Sequence, residues 1–162
     1  MYDYHGTAIH HERLAKGLDH CASRGMVVDL ATLIRNGVIY DPSHPQRALS
    51  SDSGPGEGRR FFIYAVGLQS SVHIGIDGNR GAPDAVKHET LFHNLPVLAA
   101  GEIMFSDGMI VRVNDQSGSY STFGKIRTDT RFLPALFNAL DVIDAPLDPL
   151  ERARLSTMSG RL

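Results

Sequence analysis

The stretch Glu102-Ile103-Met104-Phe105-Ser106-Asp107-Gly108-Met109-Ile110-Val111-Arg112-Val113 decides how the chain reads. Two short apolar runs, 102–105 and 109–113, flank Ser106-Asp107-Gly108. An Asp-Gly dipeptide between apolar β-formers is a strong local hairpin signal, because the tight turn it favours matches the twist of paired strands. Ala99-Ala100-Gly101 leads into this hairpin, and Ser117-Gly118-Ser119-Tyr120 leaves it. His88 stands thirteen residues before Gly101, at the head of His88-Glu89-Thr90-Leu91-Phe92. A sheet built on the hairpin would gather two polar clusters, around His88 and around residues 117–120, at one end. The plainer reading is an imidazole bonded to backbone at the hairpin mouth and a phenol closing the sheet.

Working outward, residues 61–66 form a strongly apolar segment that reads as a buried strand. Residues 72–76 alternate and pair with it across 67–71. Residues 77–83 are a glycine-rich turn, and 86–92 are short enough for strand or turn. Residues 41–58 carry Pro42, Pro45, Pro55, Gly54, Gly56 and Gly58 and read as a long loop. Before it, Asp29 opens an expected helix over 29–36, with Leu30, Leu33 and Ile34 as its apolar stripe and Gly37 as its stop. Residues 38–40 form a brief strand. At the N-terminus, 2–9 read as a strand and 10–19 as a helix capped by Thr7. At the other end, Asp129 caps a helix from 130 to about 140. Asp148-Pro149 opens a last helix with Leu150 and Leu155 inward, fading into a polar tail over 156–162.

The order is helices, then about five strands, then helices. It predicts a single α+β domain over residues 1–162, with a mainly antiparallel sheet flanked by N-terminal and C-terminal helices. The chain has 162 residues, 42% of them hydrophobic and 21% charged, with a net charge of −2. That balance argues against a strongly basic nucleic-acid-binding face. No apolar run approaches the roughly 20 residues that span a bilayer, and no secretory signal is visible. The expected location is the cytoplasm, or outside the cell by way of a dedicated secretion system. One cysteine, Cys21, excludes an internal disulfide and a Cys-rich zinc site. The eight histidines show no metal-ligand spacing, so no metal is expected, and His10, His11, His20 and His73 form a poor metal set. No glycine-rich phosphate loop follows a strand and opens a helix, which excludes Rossmann and P-loop readings.

Two family resemblances add to this. The central spacing of His88, Ala100-Gly101, Gly108 and Ser117-Gly118-Ser119-Tyr120 resembles a segment of the plant IQ-motif-containing calmodulin-binding proteins and their fungal and bacterial relatives. That segment reads His-Ser-Ser-Phe, Ala-Gly, Gly and Ser-Gly-His-Tyr. The match covers about sixty residues. Here Glu89-Thr90 replace the paired serines and Ser119 replaces the second histidine. No IQ-type calmodulin-binding stretch is present. Near the N-terminus, Tyr4-His5-Gly6-Thr7 followed by Leu14-Ala15-Lys16-Gly17-Leu18 resembles the first strand and helix of ADP-ribosyltransferase domains. This second resemblance implies an ADP-ribosyltransferase-like fold and NAD as donor. His5, Gly6 and Thr7 would hold its nicotinamide end.

On this reading Tyr64 or Tyr40 stacks on the nicotinamide ring, and Arg59 or Arg60 cradles the pyrophosphate. Glu102 is the carboxylate that stabilises an oxocarbenium-like state. The acceptor is a macromolecule, protein or RNA. A toxin or effector role follows from the family, with a cognate immunity protein as partner. A second hypothesis sets His88 and Tyr120, with Ser117 or Asp115, as acid and base of a nuclease-like cleft. There Ser119 marks the position that decides activity. A third hypothesis is a binding module that has lost its catalysis at Ser119.

Overall fold

The computed structural model describes residues 27–51, 61–77, 91–92, 95–115 and 133–158. In chain order the elements are β1 (Val27–Asp29), a 3-10 turn over Leu30–Leu33, β2 (Ile34–Arg35), β3 (Val38–Ile39) and β4 (Phe61–Gly67). They continue with β5 (Val72–Asp77), β6 (Val97–Ser106), β7 (Met109–Val113), α1 (Leu133–Val142) and α2 (Pro149–Met158). Five strands form one sheet in the order β1-β5-β4-β6-β7. Every neighbouring pair in it is antiparallel. β2 and β3 make a separate two-stranded ribbon. Among the described residues the fold is α+β, with a mainly antiparallel sheet and two helices after it.

The decisive hairpin forms as its turn demands. Asp107 and Gly108 take φ of 49° and 79°. Gly108 accepts this at little cost, and aspartate tolerates it better than most residues. The ladder then slips once. Phe105 pairs with Ile110, but Met104 pairs with Arg112, so Val111 is an extra residue on β7. This bulge keeps Ile110 and Val113 both in the core. It also moves Asn114 opposite Glu102 instead of Gly101.

β4 runs through the middle of the sheet, and Phe62, Ile63, Tyr64, Ala65 and Val66 are all buried. Its apolar sequence is therefore continuous instead of alternating. Phe62, Tyr64, Val66, Ile74, Ala99 and Ile103 share one face by register. They join Leu133, Leu136, Phe137 and Leu140 of α1 and Leu155 of α2 in one core. Phe62 meets Phe105 edge to face, 5.2 Å between centroids, which suits the aromatic quadrupole.

The outer edge of β7 is closed by side chains and by the approach to α2. Ile110 N–H donates to Pro146 O at 2.9 Å, and Asp148 N–H donates to Ile110 O at 2.8 Å. Further along, Val113 N–H donates to Glu151 Oε2 at 2.8 Å. Arg154 Nη2 returns a bond to Val113 O at 2.7 Å. Arg154 also grips Glu151 at 2.5 Å. Among the described residues no further strand pairs with β7, and a carboxylate and a guanidinium take up the backbone groups of its edge.

Several expectations change. Residues 29–36 are not a helix: Asp29 caps one 3-10 turn by accepting from Ala31 N–H, and the chain then enters a hairpin. Asn36 and Gly37 take φ of 53° and 75°, the pair of positive values that an Asn-Gly turn supplies. β1 had no counterpart in the sequence reading. The long loop is tied down in its first part. Gly108 N–H donates to Leu49 O, Ser51 N–H to Phe105 O, and Phe105 N–H to Ser51 Oγ. In α2, Asp148 Oδ2 caps Leu150 and Glu151 N–H as expected. Leu150 faces outward at 83% exposure, and Glu151 takes the buried place. The segments expected at 2–9, 10–19 and 77–83, the loop beyond residue 51, and the expected cap Asp129 lie outside the described residues, apart from Asp77, which ends β5.

Candidate functional site

The middle of β6, at half-buried Glu102, carries the candidate site. Glu102 lies beside β4, paired with Ile63, and on its other side it faces Asn114 just past the end of β7. Asn114 N–H donates to Glu102 O at 3.1 Å. Its side chain completes the pairing. Glu102 N–H donates to Asn114 Oδ1 at 3.0 Å, and Asn114 Nδ2 donates to Glu102 Oε1 at 3.0 Å. The side-chain amide thus binds both the backbone and the carboxylate of Glu102. A carboxylate oriented by a hydrogen-bonded neighbour is preorganised for a positive charge or a hydroxyl donor.

Gly101 makes this packing attainable. A β-carbon there would stand 1.9 Å from Asn114 O and 2.8 Å from Asp115 Cα. The chain leaving β7 crosses directly over the glycine. Beneath the crossing, Tyr64 Oη donates to Asn114 O at 2.7 Å. Asn114 therefore joins the phenol on the core side to the carboxylate on the opposite face. Burial pushes the Tyr64 phenol well above its ordinary pKa, and the charge of Asp115 pushes it further. Asp115 is itself buried, at 7% exposure. Two acidic residues, Glu102 and Asp115, thus lie on either side of Asn114, the first across the sheet and the second next in the chain.

The same face of the sheet carries His73. By register His73 pairs with Ala65, and Ala65 with Ala100. Ile63 lies two residues from Ala65 and pairs with Glu102, so His73 and Glu102 project from one face. His73 Nδ1 lies 2.7 Å from Leu91 O. Its ring stacks on Phe92, with 4.0 Å between centroids and 4° between planes.

Of the residues chosen from sequence, the structure describes Glu102, Tyr64, Tyr40 and Asp115. Glu102 is half-buried and oriented. Tyr64 is a core residue at 0% exposure. Its ring offers no surface to a nicotinamide, because it fills the space under the 114–115 crossing. Tyr40 stacks with the Arg35 guanidinium at 4.0 Å. It follows Ile39, whose N–H donates to Gly108 O at the turn end of the hairpin, away from Glu102. His5, Gly6, Thr7, Arg59, Arg60, His88, Ser117, Ser119 and Tyr120 lie outside the described residues.

Asn114 was not singled out from sequence. The signal was present only as an Asn at the end of an apolar run, and the Val111 bulge that sets it opposite Glu102 is not written in the pattern. Comparison with family models, curated proteins and solved structures finds no match. Among the described residues no group of three or more His, Cys, Asp or Glu side chains gathers as a metal site. No helix among them is long and apolar enough to cross a membrane.

Proposed function

We propose that the chain is an ADP-ribosyltransferase-like domain that breaks the nicotinamide–ribose bond of NAD and passes ADP-ribose to a macromolecular acceptor. The observation that carries this reading is the Glu102 carboxylate, held by Asn114 on the half-buried face of the central sheet. Loss of nicotinamide leaves positive charge on the ribose carbon and ring oxygen. A fixed carboxylate is suited to stabilise that charge. Arg112 is exposed on β7 and pairs with Met104, two residues from Glu102, so it projects from the same face. A guanidinium there suits the pyrophosphate. Tyr64 supports the site from beneath and does not touch the donor.

The N-terminal His5-Gly6-Thr7 completes the proposal as the nicotinamide-binding tripeptide, with Arg60 as a second cation. The spacing from His88 to Tyr120 supports kinship with the domain of the IQ-motif-containing proteins and their bacterial relatives. A bacterial toxin or effector acting on protein or RNA, restrained by an immunity protein, is the biological setting this implies.

The test is transfer of label. NAD carrying a labelled adenylate is incubated with the protein and a cell extract, and the extract is then digested with protease or with ribonuclease. The expected result is label in macromolecules, removed by one digestion and not the other. No label, together with no free nicotinamide, would contradict the proposal and favour a binding module.

A further inference from the structure

Met158 ends α2 with its thioether against the guanidinium that holds the helix to the sheet. Arg154 Nη1 donates to Met158 Sδ at 3.5 Å, across one helical turn. The other arms of Arg154 are committed to oxygen. Nε donates to Glu151 Oε1 at 2.5 Å, and Nη2 donates to Glu151 Oε2 at 2.5 Å and to Val113 O at 2.7 Å. Glu151 Oε2 in turn accepts from Val113 N–H at 2.8 Å. One guanidinium thus ties the last turn of α2 to the residue before Asn114. Its weakest tie is the one to sulfur, because a thioether is a poor acceptor.

That sulfur is also open to solvent. Met158 is 39% exposed, whereas Met104 and Met109, the other described methionines, are half-buried in β6 and β7. A dissolved oxidant must reach the sulfur to react with it, so exposure selects Met158. Oxidation there disturbs little packing, because Met158 lies outside the core. It changes the acceptor instead. The thioether becomes a polar sulfoxide, on a side chain flexible enough to aim the new oxygen. Nη1 is the Arg154 nitrogen that has no oxygen acceptor among the described residues. A charged donor bonds a polar oxygen more strongly than a thioether.

We propose that Met158 is an oxidation site, and that its sulfoxide tightens the hold of α2 on the end of β7. The oxidant is a peroxide. A sulfur lone pair attacks one peroxide oxygen, the O–O bond breaks, and an S–O bond forms. With hydrogen peroxide, the proton on the first oxygen passes to the second, which leaves as water. Sulfur gives up two electrons and the peroxide takes them. The new oxygen accepts from Arg154 Nη1, and every nitrogen of the guanidinium then has an oxygen partner. Through Glu151 and Val113 the effect reaches the end of β7, beside the Asn114 that holds Glu102. The device works whatever chemistry Glu102 performs.

The wild-type protein is treated with hydrogen peroxide, and mass spectrometry of its peptides locates the modified methionines. Exchange of the Val113 and Phe62 amides is then followed by NMR. The expected result is an oxidised Met158 and a Val113 amide that exchanges about five-fold more slowly, as for one added hydrogen bond, with a smaller change at Phe62. Methionine sulfoxide reductase is expected to restore the original rate. Met158→Leu should show no slowing under the same treatment. Met158→Gln carries an amide oxygen at similar reach, and without oxidant its Val113 amide should exchange more slowly than that of Met158→Leu. A Met158 that stays unmodified while Met104 and Met109 react overturns the site. An oxidised Met158 with Val113 exchange unchanged, quickened, or slowed equally with Phe62 overturns the tightening.

Discussion

At position 101 a β-carbon would stand 1.9 Å from a backbone oxygen of the crossing chain. No rotamer change relieves that contact, because the obstacle is main chain. Gly101→Ala is therefore expected to destabilise the fold by about 3 kcal/mol, the upper end for overpacking, read as a lower urea midpoint. Tyr64 lies beneath the same crossing and gives a second test, in alkali. In the unfolded chain its phenol ionises at about pH 10. In the fold, burial and then Asp115 hold the proton on to higher pH. Above about pH 10 the native state thus binds one more proton than the unfolded state. Stability falls as pH rises, by up to about 1.4 kcal/mol per pH unit, until the folded phenol itself ionises. Tyr64→Phe lacks this component. It should be about 1 kcal/mol less stable at neutral pH, for the lost bond to Asn114 O, but lose less stability between about pH 9 and about pH 11. Parallel losses in the two proteins would count against the buried phenol.

The elements divide by how locally they are specified. β4, β5, the Asp107-Gly108 hairpin and the Asp148 cap were legible because each depends on neighbours in sequence. The region 29–36 misled because Leu30, Leu33 and Ile34 have helical spacing. An Asn-Gly turn followed by β-branched Val38 and Ile39 outweighs that spacing, and the chain becomes a hairpin. The inward place of Glu151 was illegible for another reason. A glutamate is buried only when something distant demands it, and here the demand is the backbone N–H of Val113 at the end of β7. Glu151→Ala should expose that dependence. It strands Arg154 and leaves Val113 N–H without its acceptor. Since Arg154 is partly solvated, the expected cost is about 2–3 kcal/mol. Exchange of the Val113 amide with deuterium should quicken more than that of Phe62 in central β4. Uniform quickening would mean that α2 stabilises the whole fold and does not guard an edge.

Across the whole molecule, function depends on what the sheet brings to one face. Glu102 was picked from sequence for its residue type alone. The structure adds the Val111 bulge, the Asn114 clamp and the Gly101 crossing that orient it. Tyr64 was picked as a ligand-stacking ring and is a support. Sequence pattern alone does not separate these two roles, because both residues sit in apolar strands. The most direct test is the release of nicotinamide from NAD by three proteins: wild type, Glu102→Gln and Tyr64→Phe. Glutamine keeps the size and the hydrogen-bonding oxygen of Glu102 but not its charge. The expected result is release by the wild type, a loss of roughly 10²-fold or more in Glu102→Gln, and a change of only a few-fold in Tyr64→Phe. Release by Glu102→Gln at the wild-type rate would contradict the assignment of this carboxylate.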